Sequence, residues 1–215
     1  MSVVKSLLDL LYPPKCVFCH RLLEKKEHNV CAACARSLKV SDERYSAPQL
    51  DDEFLCWAPL HYEGLVRESL HRYKFSGNAF YCETYADIIC SVLNHGELAC
   101  DMVTWIPLSK RHLRQRGYDQ AELLARAVAK RTGIPCCGTL KKIKNIRAQS
   151  SLKDLRERAE NVKGVYRVRP DADIHGKRIL LIDDIVTTGS TISEASGTLI
   201  SAGAAEVRAA AIAHR

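Results

Sequence analysis

Apolar and polar positions along this chain follow two alternating periods. Residues 56–62 (CWAPLHY), 102–107 (MVTWIP), 165–168 (VYRV), 178–182 (RILLI) and 207–213 (VRAAAIA) are short apolar runs of strand length. Between them, 64–75 (GLVRESLHRYKF), 80–95 (FYCETYADIICSVLNH), 120–133 (QAELLARAVAKRTG) and 190–203 (STISEASGTLISAG) read as helices. Pro107, Gly133 and Gly203 supply stops. Strands alternating with helices of this length predict an α/β fold: a parallel sheet with helices on both faces. Val3, Val4, Leu7, Leu8 and Leu11 also keep helical spacing, which predicts a short amphipathic helix ending before Pro13.

Two stretches break this pattern. Residues 15–36 are dense in cysteine and hold little that could form a core, and residues 41–55 (SDERYSAPQLDDEFL) are polar and acid-rich. The expected organisation is an N-terminal helix with a cysteine module over 1–40, a linker over 41–55, and the α/β domain over 56–215.

Composition narrows the class. With 47% hydrophobic and 27% charged residues in 215, the chain has a globular balance, which excludes a mainly disordered protein. No apolar run approaches the ~20 residues of a membrane span. Lys5 and Asp9 interrupt the first apolar stretch and no small-residue cleavage site follows, so it does not read as a secretory signal. The expected location is the cytoplasm. There, the 10 cysteines are metal ligands or buried thiols rather than disulfides.

Cys16-x2-Cys19 and Cys31-x2-Cys34 are paired turns that can each put two thiolates on one ion. Four thiolates complete the closed tetrahedron of a structural zinc site, with no position left for water. The metal would organise a segment that buries too little to fold otherwise. The other six cysteines (56, 82, 90, 100, 136 and 137) read as small buried hydrophobes.

Residues 179–191 (ILLIDDIVTTGST) place two acids where a buried strand ends, followed by a hydroxyl- and glycine-bearing turn that opens a helix. Ligands of open α/β sheets bind at that edge. Thr187, Thr188, Gly189, Ser190 and Thr191 offer amides and hydroxyls to a phosphate at a helix N-terminus. Asp183 and Asp184 suit vicinal hydroxyls, as on a ribose. Neither a Walker A loop nor a GxGxxG dinucleotide fingerprint is present.

All thirteen residues resemble the 5-phosphoribosyl-1-pyrophosphate (PRPP) signature of type I phosphoribosyltransferases. The chain also resembles the ComF (ComFC) competence family over nearly its whole length. That resemblance rests on the paired CxxC motifs, Tyr62-x-Gly64 with Lys74, IPLSKRHLRQRGYDQAELLA (106–125), Arg147 with Gln149, and Arg156 with Asn161 and Gly164. Asp119 stands where the family usually has Asn, and Tyr118 where it has Phe.

The resemblance implies a type I phosphoribosyltransferase-like sheet with a small N-terminal zinc finger. It implies that Asp183 and Asp184 hold the ribose hydroxyls and residues 187–191 the 5′-phosphate. Pro107, Leu108, Ser109 and Lys110 take the place of the pyrophosphate loop. Magnesium with PRPP is implied, carried mostly by the ligand and water. Residues 143–161, with Arg147 and Arg156, correspond to a lid, and residues 57–80 to the acceptor-recognising hood. The family is associated with import of single-stranded DNA during natural transformation, which implies a DNA translocase or helicase as a partner.

Charge bears on that role. The net charge is +7, and window 109–118 carries four Lys/Arg with no acid, while 141–158 carries seven against two acids. Arg111, Arg114, Arg116, Lys141 and Lys142 are the nucleic-acid candidates, binding single strands through phosphates. Only Tyr118 among aromatics lies in either window, so stacking rings are sparse. Three readings follow: a protein that binds PRPP and single-stranded DNA in DNA uptake, a phosphoribosyltransferase releasing pyrophosphate to an unread acceptor, or an adaptor docking through the zinc module and N-terminal helix. No catalytic residue is assigned.

Overall fold

The computed structural model of the protein describes residues 13–51, 54–93, 99–144 and 164–215. The N-terminal helix over 3–11 and the lid residues Arg147 and Arg156 lie outside the described residues. In chain order the elements begin with α1 (Ala32–Ser37), β1 (Cys56–Trp57), β2 (Leu60–His61), α2 (Gly64–Phe75), α3 (Tyr81–Val92), β3 (Met102–Trp105), α4 (Lys110–Arg116) and α5 (Gln120–Thr132). They continue with β4 (Leu140–Lys142), β5 (Tyr166–Val168), β6 (Arg178–Ile182), β7 (Ile185–Val186), α6 (Ser190–Ser201), β8 (Glu206–Ala210) and β9 (Ala213–His214).

The strands run parallel in the order β1-β8-β6-β3, and β2-β9-β7 extends the same layer, also parallel. The apolar run RILLI explains why β6 is central. A strand buried on both faces loses the polar alternation of a half-exposed one. Leu180 and Ile182 pack with Leu70 and Tyr73 of α2, Tyr85 of α3 and Leu124 of α5. Ile179 and Leu181 pack with Ile192, Ala195 and Leu199 of α6 and with Leu140 and Tyr166. Helices therefore cover both faces, as the pattern predicts.

Three local readings change. The runs 56–62 and 207–213 are each divided, at Ala58–Pro59 and at Ala211–Ile212. Pro59 has no N–H to give a ladder, and the second break keeps its backbone satisfied through Ala211 N–H to Trp57 O (2.8 Å) and Ile212 N–H to Asp184 O (3.1 Å). The 165–168 strand does not join the parallel layer; β5 pairs antiparallel with β4 over the α6 face. The short helices α1 and α4 lack an apolar stripe and are fixed by caps. Cys31 Sγ accepts from Cys34 N–H, and Ser109 Oγ from His112 N–H.

The connecting segment after the cysteine module packs along the sheet edge. Ser41 N–H donates to Pro59 O (2.9 Å) and Tyr45 N–H to Cys56 O (2.8 Å), and Ala47 is buried. The module itself docks on the α2–α3 face. Phe18 lies edge-on to Tyr85 with ring centroids 6.2 Å apart, and Ser69 Oγ donates to Val17 O at 2.7 Å. No helix among the described residues is long and apolar enough to cross a membrane.

Candidate functional site

At the carboxyl end of β6, Asp183 N–H donates to Ala210 O (3.0 Å) and Asp184 N–H to Asp183 Oδ1 (2.8 Å). The chain then forms β7 and turns into α6. A small cleft is lined by Asp183, Thr187, Gly189, Ser190 and Thr191, so the first predicted acid lies with the phosphate turn, while Asp184 pairs with Lys74 beside it. The N-terminus of the twelve-residue α6 has no side-chain cap. Ser190 N–H reaches Thr188 Oγ1 at 3.4 Å, and the amide end of the helix dipole favours an anion there. Thr188 Oγ1 and Ser190 Oγ are buried and lie 2.5 Å apart.

Gly189 is required twice over. Its φ of 81° is left-handed, and a Cβ would stand 2.8 Å from Leu50 Cγ and 3.0 Å from Ala47 Cβ. The connecting segment thus backs the phosphate turn. Gln49 N–H donates to Thr188 O (3.1 Å) and Tyr45 Oη to Thr187 O (3.3 Å). Neither composition nor spacing points to this support, because its partners lie about 140 residues apart.

The acids are matched by lysines. Lys74 Nζ of α2 lies 2.8 Å from Asp184 Oδ2, in a pair whose side chains are only 17% and 16% exposed. Lys74 belongs to the family-like stretch but received no role from sequence; its ion pair is visible only in three dimensions. Burial, then the negative charge of Asp184, pushes the Asp183 carboxyl well above the usual carboxylate range, and Lys74 pulls it part of the way back. Lys142, on β4, is half-buried with Nζ 5.7 Å from the Tyr166 ring centre. Burial lowers its pKa, and the charges of Asp183 and Asp119 raise it, whereas Lys141 is exposed.

The 107–110 segment sits at the same edge. Ile106 N–H donates to Ile182 O (3.0 Å), and Leu108 N–H to Asp119 Oδ2 (2.8 Å). Asp119 Oδ1 accepts from Ala121 N–H (3.1 Å) and Glu122 N–H (3.3 Å), capping α5. Both carboxylate oxygens are used, a demand that an amide with one acceptor oxygen would not meet. Ser109 is buried as the α4 cap, and Lys110 is exposed. On α4, Arg111 and Arg114 are exposed, and Arg116 Nη1 donates to Gln120 Oε1 (2.9 Å).

The four predicted thiolates converge. The sulfurs of Cys16, Cys19, Cys31 and Cys34 all lie within 4.8 Å of one another, forming one cluster among the described residues. Cys31 N–H donates to Cys16 Sγ and Cys34 N–H to Cys31 Sγ, each at 3.4 Å. The amide of Cys34 is the main cause that brings the Cys31 thiol down to about 6, while burial pushes Cys34 up. Four convergent sulfurs with amide support fit a structural zinc ion. Glu27, which the CxxC spacing does not signal, ties the two turns. Its carboxylate accepts from Arg21 (2.5 Å), Ala32 N–H (2.7 Å) and Glu24 N–H (3.0 Å). Of the remaining cysteines, Cys56 and Cys82 are buried as expected, but Cys137 is exposed.

Residues 119–215 match the family described as phosphoribosyl transferase domain, and residues 7–47 the double zinc ribbon domain. The DNA utilization protein YhgH of Salmonella typhimurium is 27% identical, covering 93% of this chain and 96% of its own. Competence protein F of Haemophilus influenzae is 24% identical over 90% and 94% of the two chains. Competence protein ComFC of Bacillus subtilis is 27% identical over 92% and 83%.

Proposed function

We propose that this chain, a homologue of competence proteins F and ComFC with a phosphoribosyltransferase-type domain and a zinc ribbon, binds PRPP with magnesium at the β6–α6 edge and single-stranded DNA on its basic surface. It acts in cytoplasmic handling of DNA during natural transformation, alongside a DNA translocase or helicase. The observation that carries the ligand reading is the convergence of Asp183, Thr187, Gly189, Ser190 and Thr191 on one cleft at the N-terminus of α6, with Asp184 next in the chain. Asp183 and Asp184 accept from the ribose hydroxyls, and the α6 amides with Thr188 and Ser190 receive the 5′-phosphate. Pro107–Lys110, which follows β3 beside β6, is the segment we assign to pyrophosphate, supported by the bonds of Ile106 to Ile182 and of Leu108 to Asp119.

Magnesium fits only as the ligand's own ion. Lys74 already holds Asp184, and the cysteines are the only metal-binding cluster of three or more His, Cys, Asp or Glu among the described residues. Pyrophosphate and ribose oxygens with water supply its coordination, and its charge offsets that of pyrophosphate. The DNA reading is supported by α4 and Lys141, whose exposed cations meet phosphates without sequence preference.

Thermal unfolding with PRPP and magnesium chloride tests the ligand. At a hundred times its Kd, a ligand adds about 2.7 kcal/mol, about 5–10 °C for a chain of this size. Asp183→Ala with Asp184→Ala should abolish that rise. A native chain whose melting does not respond to PRPP refutes the reading.

A further inference from the structure

α4 carries Lys110, Arg111, Arg114 and Arg116 without an acid, and among the described residues no carboxylate forms an ion pair with any of them. A phosphate backbone suits such a helix, but gripping a single strand also requires a ring on which bases can stack. The aromatic within this basic window cannot serve. Tyr118 is half-buried, with its hydroxyl donating to Tyr73 O.

The fold supplies a ring from elsewhere. Phe75, the last residue of α2, is 59% exposed, and the Arg116 guanidinium lies over it, 5.0 Å from the ring centre. His71 flanks the same ring at 4.9 Å, and Phe80, 58% exposed, stands at the far end of the 76–79 turn. A lone exposed phenylalanine is ordinary. An exposed phenylalanine carrying a guanidinium that belongs to an unpaired basic helix joins the two chemistries a base and its phosphate need.

We propose that Phe75 and Arg116 form a stacking platform for a base of single-stranded DNA, separate from the phosphoribosyl cleft but adjoining it. The proposal rests on the DNA-binding reading above and specifies where that binding occurs. Two observations separate the sites. Asp183 and Asp184 suit a vicinal diol, which deoxyribose lacks. Consecutive residues of α2 also diverge, Lys74 reaching inward to Asp184 while Phe75 opens to solvent. PRPP and DNA therefore bind at the same time.

The test uses the full chain with an oligo-dT single strand. Trp57 and Trp105 are buried, so a tryptophan introduced by Phe75→Trp dominates the solvent-facing fluorescence. Oligo-dT should quench it saturably, and PRPP with magnesium should not reverse the quenching. Phe75→Ala should weaken oligo-dT binding at least about fivefold while keeping the native melting temperature and PRPP response. Native affinity in Phe75→Ala, absence of quenching in Phe75→Trp, or displacement of the strand by PRPP would overturn the platform. Those results are distinct from a native chain that binds no oligo-dT, which defeats the DNA reading and the platform with it.

Discussion

Asp183 illustrates at the scale of one residue what the proposed ligand site costs the fold. Its carboxyl is half-buried and lies beside Asp184, so the fold retains its proton to higher pH than an unfolded chain does. The native state therefore binds more protons between the ordinary carboxylate range and the raised value, and stability falls as pH rises across that window. Asp183→Asn removes this loss. Its advantage in melting temperature over the native chain should grow from pH 4 to pH 8, reaching about 2–4 °C for each kcal/mol relieved, while the PRPP response disappears. Melting curves across pH check this, and a difference that stays constant with pH contradicts it. Under the proposed PRPP reading, affinity should show the opposite trend, rising with pH as the carboxylate forms and can accept two hydroxyls.

Among the elements, α2 connects most of the molecule. Ser69 and Arg72 hold the cysteine module, with Arg72 Nη2 donating to Val17 O (3.1 Å) and to Phe18 O. Tyr73 Oη donates to Gln120 O (2.8 Å), Lys74 reaches Asp184, and Phe75 meets Arg116. Four functions fit on one helix because helical residues radiate around its axis, so neighbours in sequence serve different sides. Arg72→Ala removes the donor to Phe18 O, while Val17 O keeps Ser69 Oγ, and the loss costs about 1–3 kcal/mol. Chemical denaturation should record that loss together with release of the module, and an unchanged midpoint would mean that α2 does not anchor it.

Over the whole molecule, the metal module and the α/β layers share apolar contacts. Cys16, Val17, Phe18, Cys31 and Cys34 belong to the same core as Tyr73, Tyr85 and Leu180. Removal of the ion therefore reaches beyond residues 15–36. Cys16→Ser with Cys34→Ser should release about one zinc per chain and lower the temperature of a single melting transition. Unchanged metal content refutes the site, and a second, separate transition refutes the shared core.

The periodic apolar runs, the paired CxxC turns and the IDDIVTTGST segment were legible without coordinates, because each is a local pattern. A strand, a turn and a helix start declare themselves within a few residues, and thiolate pairs within four. Spacing alone gives Lys74 no role and puts 165–168 in the main sheet, whereas Lys74 pairs with Asp184 and β5 pairs with β4. Spacing also finds few stacking rings near the basic windows, since Phe75 stands 41 positions before Arg116. Local spacing determined which elements form and which chemistries they carry. Tertiary structure alone decided which charges meet, what backs Gly189 and which ring lies under which cation, because those contacts depend on distance in space between elements remote along the chain.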